Sequence, residues 1–127
     1  MVPVDWKLAW DRVAAATGMR PGAEQRVVAG NHLSVAHITM APDAVFDGRL
    51  HHHDNDQLIV GVSGVLRLRV GDDEVELGPG DVVFVPGGVR HGSVGVGPEG
   101  AAYLDVFAPA RVDQLPGWRG PSPLRFD

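Results

Sequence analysis

The chain has 127 residues, 44% of them apolar, and a formal charge of −5. That length suits one domain and is too short for two comfortable cores, while the acidic balance and the lack of any basic run make nucleic acid and anionic membrane surfaces poor partners. There is no cysteine, which excludes disulfides and thiolate metal sites, so any metal must be held by nitrogen and oxygen.

The opening stretch, MVPVDWKLAW, lacks a basic segment followed by an apolar one, and no signal peptide is expected. No apolar run approaches the ~20 residues of a membrane span, and the expected localisation is cytoplasmic. Seventeen glycines and ten prolines beside a normal apolar content indicate frequent turns between short strands, and so an all-β sandwich or barrel.

Along the chain, residues 5–16 place Trp6, Trp10 and Val13 at helical spacing after Asp5, a candidate cap; this reads as a short helix or as the flank of an edge strand. From Arg26 the pattern changes to β-branched runs bounded by Gly, Pro, Asn or Asp: RVVAG, HLSVAHITM, QLIVGVSG, VLRLRVG, EVELG, DVVFVP and AAYLDVF. Gly71-Asp72-Asp73 predicts a hairpin, and Gly78-Pro79-Gly80-Asp81 a tight turn. In VLRLRV, Leu66, Leu68 and Val70 alternate with Val65, Arg67 and Arg69, the pattern of a strand with one wet face. The expected organisation is an N-terminal segment over residues 1–25 (short helix or swapped strand), a barrel over 26–108 and a Pro/Gly-rich arm over 109–127. In that arm Trp118 and Phe126 are candidate anchors.

Three of the six histidines are consecutive. On a strand, His51 and His53 project to one face and His52 to the other, so two imidazoles converge as a metal requires. Gln57 can return an amide oxygen to the same place if the chain turns through Asp54-Asn55-Asp56. His91, after Pro86-Gly87-Gly88-Val89-Arg90, is a candidate fourth ligand. His32 and His37 fit no ligand spacing and read as structural or surface residues.

These residues resemble the two motifs of the cupin superfamily. The first, H-x-H, three or four residues, Glu or Gln, six residues, Gly, is matched by His51, His53, Gln57 and Gly64; the second, G-x5-P-x-G-x2-H, by Gly80, Pro86, Gly88 and His91. Fifteen residues separate Gly64 from Gly80, and Gly95 stands where the second motif usually ends in Asn. The resemblance implies a double-stranded β-helix, the cupin jelly-roll barrel, holding one divalent transition metal through His51, His53, Gln57 and His91. Imidazole and oxygen donors suit Zn, Ni, Fe, Mn or Cu without choosing among them. Gln in place of the usual Glu leaves the ion's charge uncompensated, which makes it a stronger Lewis acid.

In AYLDVFAPAR, alternation puts Tyr103, Asp105 and Phe107 on one face and Leu104 and Val106 on the other. The stretch resembles the D-V-F-S-P-x-R of cupins that linearise 4,5-unsaturated monouronates in pectin and alginate breakdown. That likeness implies Asp105 as acid/base, Phe107 as a pocket wall and Arg111 as ligand of a substrate carboxylate. This chain has one residue fewer between His53 and Gln57 than those enzymes, and Asp105 reads equally as a structural residue. The leading expectation is a metal-dependent enzyme of non-redox isomerisation, ring-opening or cyclisation on a small oxygenated substrate, a sugar acid favoured. A polyketide-cyclase type, an Fe(II) dioxygenase and a non-catalytic ligand-binding cupin are the alternatives. A homodimer is expected, with Trp6 and Trp10 as candidate contacts that would also protect exposed strand edges.

Overall fold

The computed structural model describes residues 6–127, so Asp5 lies outside the described residues. The stretch read as a short helix or as the flank of an edge strand takes the second form: one 3-10 turn, Trp10–Arg12, leads into the edge strand β1 (Ala15–Thr17). The reason is local competition. Arg26 donates through Nη1 to the carbonyls of Trp10 (3.0 Å) and Val13 (2.8 Å), supplying partners that a continuing helix would have drawn from its own amides. Trp10 then stacks on His37 of the same chain, their ring centroids 5.4 Å apart.

Six further strands follow: β2 (Ala23–Ala29), β3 (Ser34–Met40), β4 (Asp56–Val70), β5 (Asp73–Leu77), β6 (Val82–Val85) and β7 (His91–Ala108). Every pairing is antiparallel. β4 joins two runs that the sequence suggests as separate strands, and β7 extends through the Gly-rich HGSVGVGPEG. Register shifts between Gly61 and Leu68 bend both long strands, so each serves two layers. One layer runs β1, β2, β3, the second half of β7, the first half of β4, and β6. The other joins the first half of β7 to the second half of β4 and to β5. Gly64 sits at the bend with φ of 65°, and a Cβ there would collide with the carbonyl oxygen of Gly100. This is the backbone approach that makes the motif glycine necessary.

Buried residues from both layers form one core, including Val27, Ala36, Ile38, Ile59, Leu66, Leu68, Leu77 and Val85. The alternation in VLRLRV is borne out: Leu66 and Leu68 are buried and Arg67 and Arg69 exposed, opposite Glu76 and Glu74 of β5. The all-β jelly-roll expectation is met. No helix among the described residues is long and apolar enough to cross a membrane.

Candidate metal centre

His51 and His91 exchange backbone hydrogen bonds (2.9 and 2.8 Å) across a β-bridge, which seats the start of β7 beside the H-x-H segment. The glycine turn of the second motif reaches the first motif too, because the Gly88 amide donates to the His53 carbonyl at 2.8 Å. His52, as expected, turns away. Its backbone pairs with Arg125 and its Nε2 lies 3.1 Å from an Asp127 oxygen. His37 lies on β3 against Trp10, and His32 is exposed.

The ligating nitrogens of His51, His53 and His91 all lie within 4.8 Å of one another, and all three side chains are buried. Two tautomers follow from chemistry. His53 Nδ1 is 2.9 Å from the Asn55 carbonyl and His91 Nδ1 is 2.8 Å from that of Val89. A carbonyl only accepts, so each Nδ1 carries the hydrogen and each Nε2 presents a lone pair. His91 Nε2 is buried with no hydrogen-bond partner. His53 Nε2 lies 3.0 Å from Gln57 Oε1. Gln57 is oriented by its own Nε2, which donates to Asp105 Oδ1 at 3.0 Å. Two acceptors therefore face each other at His53 and Gln57, beside an orphaned third at His91. A cation among them removes all three penalties, so the residues fit a divalent metal.

Electrostatics agrees. Burial, then the neighbouring His91 and His53, hold the His51 imidazole down at about 3. Burial lowers His91 to about 4 against the hydrogen bond to Val89, and it also lowers His53. All three are neutral at pH 7, the form a metal binds.

Tyr103, Asp105 and Phe107 point inward and are buried, as their alternation suggests. Burial pushes the Asp105 carboxyl up to about 6, partly offset by the Gln57 hydrogen bond and by Arg111. The Phe107 ring is wedged between His53 (centroids 5.6 Å apart) and the Arg111 guanidinium (4.7 Å from the ring centroid). Arg111, expected to hold a substrate carboxylate, is paired with a carboxylate of its own chain. Its Nε and Nη2 meet the two oxygens of Asp113 at 3.2 and 2.8 Å, with both side chains largely buried.

A cavity of about 50 Å³ opens on this site, lined among others by His51, Gln57, His91, Tyr103 and Asp105. Sequence reasoning missed four polar members of its wall, Arg20, Gln25, Ser93 and Gln114. Gln25 alone carried a signal, since it alternates with the buried Val27 on β2. Asn55, read only as a turn residue, also orients the site: its carbonyl holds His53 and its Nδ2 donates to Pro109 at 2.7 Å.

Among solved structures, KdgF from Halomonas sp. is 27% identical, with 78% of this chain and 89% of that one covered and a TM-score of 0.68. An RmlC-like cupin from Shewanella frigidimarina is 26% identical over 87% of this chain and 96% of its own, with a TM-score of 0.73. The polyketide cyclase RemF from Streptomyces resistomycificus, 18% identical with a TM-score of 0.71, covers 94% of this chain and 90% of its own and shares the fold. No match was found among the curated proteins. The cupin domain model matches residues 36–107, more than half of the chain, and with the metal-ready histidine cluster in place the protein belongs to the cupin domain family.

Proposed function

We propose that this protein is a metal-dependent enzyme that isomerises or ring-opens a small oxygenated substrate by non-redox proton transfer, with a sugar acid as the favoured class. One observation carries the reading. The Gln57 amide presents its oxygen to the histidine cluster and its nitrogen to Asp105, so the ligand set and a buried ionisable carboxyl share one side chain. A structural aspartate gains nothing from facing a cavity with its carboxyl held at about 6, whereas an acid/base group operating near neutrality does.

His51, His53, His91 and Gln57 would hold one divalent transition metal, which when bound supplies Lewis acidity at a substrate oxygen. Asp105 does the proton work. As carboxylate it accepts the hydroxyl proton of a hemiacetal while that carbon becomes a carbonyl and the ring C–O bond breaks to leave an enolate, and as acid it returns that proton to the enolate carbon. Atoms balance and nothing is oxidised. Phe107 walls the pocket and limits water beside the carboxyl. The likeness of Asp105-Val106-Phe107 to the uronate-linearising cupins supports this version. The low aromatic content, 6% of residues, supports a small sugar-like substrate over a polyketide.

The test is turnover of a 4,5-unsaturated monouronate by metal-loaded protein, followed as loss of the conjugated-alkene absorbance. Asp105→Asn should keep its metal and lose about 10²- to 10⁴-fold in kcat. Turnover that persists in this variant, or none in the metal-loaded wild type, overturns the reading.

A further inference from the structure

Two arginines line the cavity, and their circumstances differ. Arg111 is neutralised by a two-point pair with Asp113. Arg20 makes no ion pair among the described residues, and its Nε is buried with no hydrogen-bond partner. Its guanidinium carbon lies 4.7 Å from the Phe46 ring centroid, so the planar group is held on an aromatic face with its edge donors uncommitted. A buried guanidinium N–H without an acceptor is costly and calls for one. Its charge is felt at His51 and Tyr103 on the cavity side and at Asp47 on the outer side, with no ion pair formed from Arg20 to that carboxylate.

Arg20 also lines a second pocket of about 210 Å³, with Met19, Pro21, Val45, Asp47, Arg49 and Phe126. Met19 and Arg20 are common to both pockets, so they stand where the metal cavity meets the outer one. An anion entering from outside meets Arg20 without displacing an internal partner, whereas Arg111 must first surrender Asp113.

We propose that Arg20 is the carboxylate-binding residue of the substrate site and that Arg111 is a positioning residue that holds Phe107. The proposal deepens the functional reading above and rests on it for the sugar-acid class. The ligand it predicts carries its carboxylate at Arg20 and its reacting oxygen at the histidine cluster. A planar guanidinium suits this task because it can meet both oxygens of a carboxylate.

The experiment compares calorimetric binding of D-galacturonate and D-galactose to metal-loaded wild type, Arg20→Gln, Arg20→Lys and Arg111→Gln, with metal content and thermal stability measured for each. The uronate should bind wild type more tightly than the neutral sugar. Arg20→Gln should weaken the uronate about ten- to hundredfold, leaving galactose binding and metal content unchanged. Arg20→Lys should recover part of the loss. If Arg20→Gln binds the uronate as wild type does, or wild type does not bind it, the proposal is overturned; loss confined to Arg111→Gln returns the role to Arg111. Turnover separates this from the parent reading. Uronate binding that depends on Arg20 in a protein without turnover keeps the anion site and removes the enzyme. Turnover with an unchanged KM in Arg20→Gln keeps the enzyme and removes the anchor.

Discussion

Replacing Gln57 by Glu changes one N–H donor into an oxygen and almost nothing in shape, which isolates the link between the histidine cluster and Asp105. In the native site Gln57 Nε2 donates to Asp105 Oδ1 at 3.0 Å. In the variant, two carboxyl groups meet at that separation. At an effective dielectric of 20, two unit charges 3 Å apart repel by about 5 kcal/mol, close to 4 pH units. The pair therefore keeps one proton through neutrality and titrates as a pair, not as two independent acids. Glu remains a competent metal ligand, so metal content should survive. Turnover should fall about a hundredfold at pH 7, the lower end of what a misplaced acid/base group costs. The acid limb of the pH–rate profile, set in wild type by the Asp105 carboxyl near 6, should move upward by more than one unit. Metal analysis with a pH–rate series on the monouronate measures both. A variant with full metal, wild-type kcat and an unmoved profile would refute the coupling, because a carboxylate at position 57 cannot leave Asp105 undisturbed if the two side chains touch.

The other predictions concern the ligands, the acid response, the C-terminal arm and assembly. His91→Ala should lower metal affinity more than the roughly ten- to hundredfold typical of losing a group that only orients a ligand, and metal retained after dialysis would contradict its assignment as a ligand. Metal-free protein should lose stability between pH 7 and 5. Unfolded histidines (6.5) take up protons there, while His51 and His91 refuse them until about 3 and 4, a cost near 2 kcal/mol each. Asp105, raised above its unfolded value, works the other way and returns about 1 kcal/mol, so a net loss of about 3 kcal/mol should appear in denaturant titrations. Phe126 lies edge-on to His51 at 5.8 Å, and the Arg49 guanidinium sits 4.0 Å from its ring centroid. Phe126→Ala should therefore speed metal release about fivefold in a chelator-exchange assay, and an unchanged rate would show that the arm is passive. Across the outer sheet face, Phe84, Leu58, Val106 and Val35 form one apolar row and Val82, Val60 and Leu104 the next. We expect a second copy of the chain to cover this face, so Phe84→Arg should shift a sedimenting dimer to monomer, whereas a wild-type monomer would rule the dimer out.

What the sequence made legible was whatever is encoded within a few residues. Strand alternation placed Leu66 and Leu68 inside, Arg67 and Arg69 outside, and Tyr103, Asp105 and Phe107 on one inward face. The H-x-H spacing and the Pro-Gly turn likewise brought His51, His53 and His91 together. The first half of β7 was illegible because HGSVGVGPEG has little intrinsic strand preference. It is extended because the second half of β4 pairs with it, Leu66 to Val96 and Val70 to His91, and that partner is more than twenty residues away. Of the two readings of the N-terminal stretch, helix or flank of an edge strand, the second holds for the same kind of reason: Arg26, ten residues beyond it, takes its carbonyls.

Roles within the site depend on which charges are already compensated, and that is a property of the folded chain alone. Asp113 lies two residues from Arg111, yet nothing local requires the pair to be buried and two-pronged; distant partners hold it, Ser34 accepting from the Arg111 amide and Ser122 donating to Asp113. Under the proposal above, that pair leaves Arg111 to brace Phe107, against whose ring it lies, and frees the substrate anion for another cation. Arg20 carries no motif, sitting in the N-terminal segment ahead of the expected barrel, but it is the cavity arginine without an ion-pair partner. A motif transfers the shape of a site from one protein to another, whereas the division of labour among its charges has to be read from each chain's own ion pairs. Here those pairs move the expected anion contact from the end of β7 to the turn before β2.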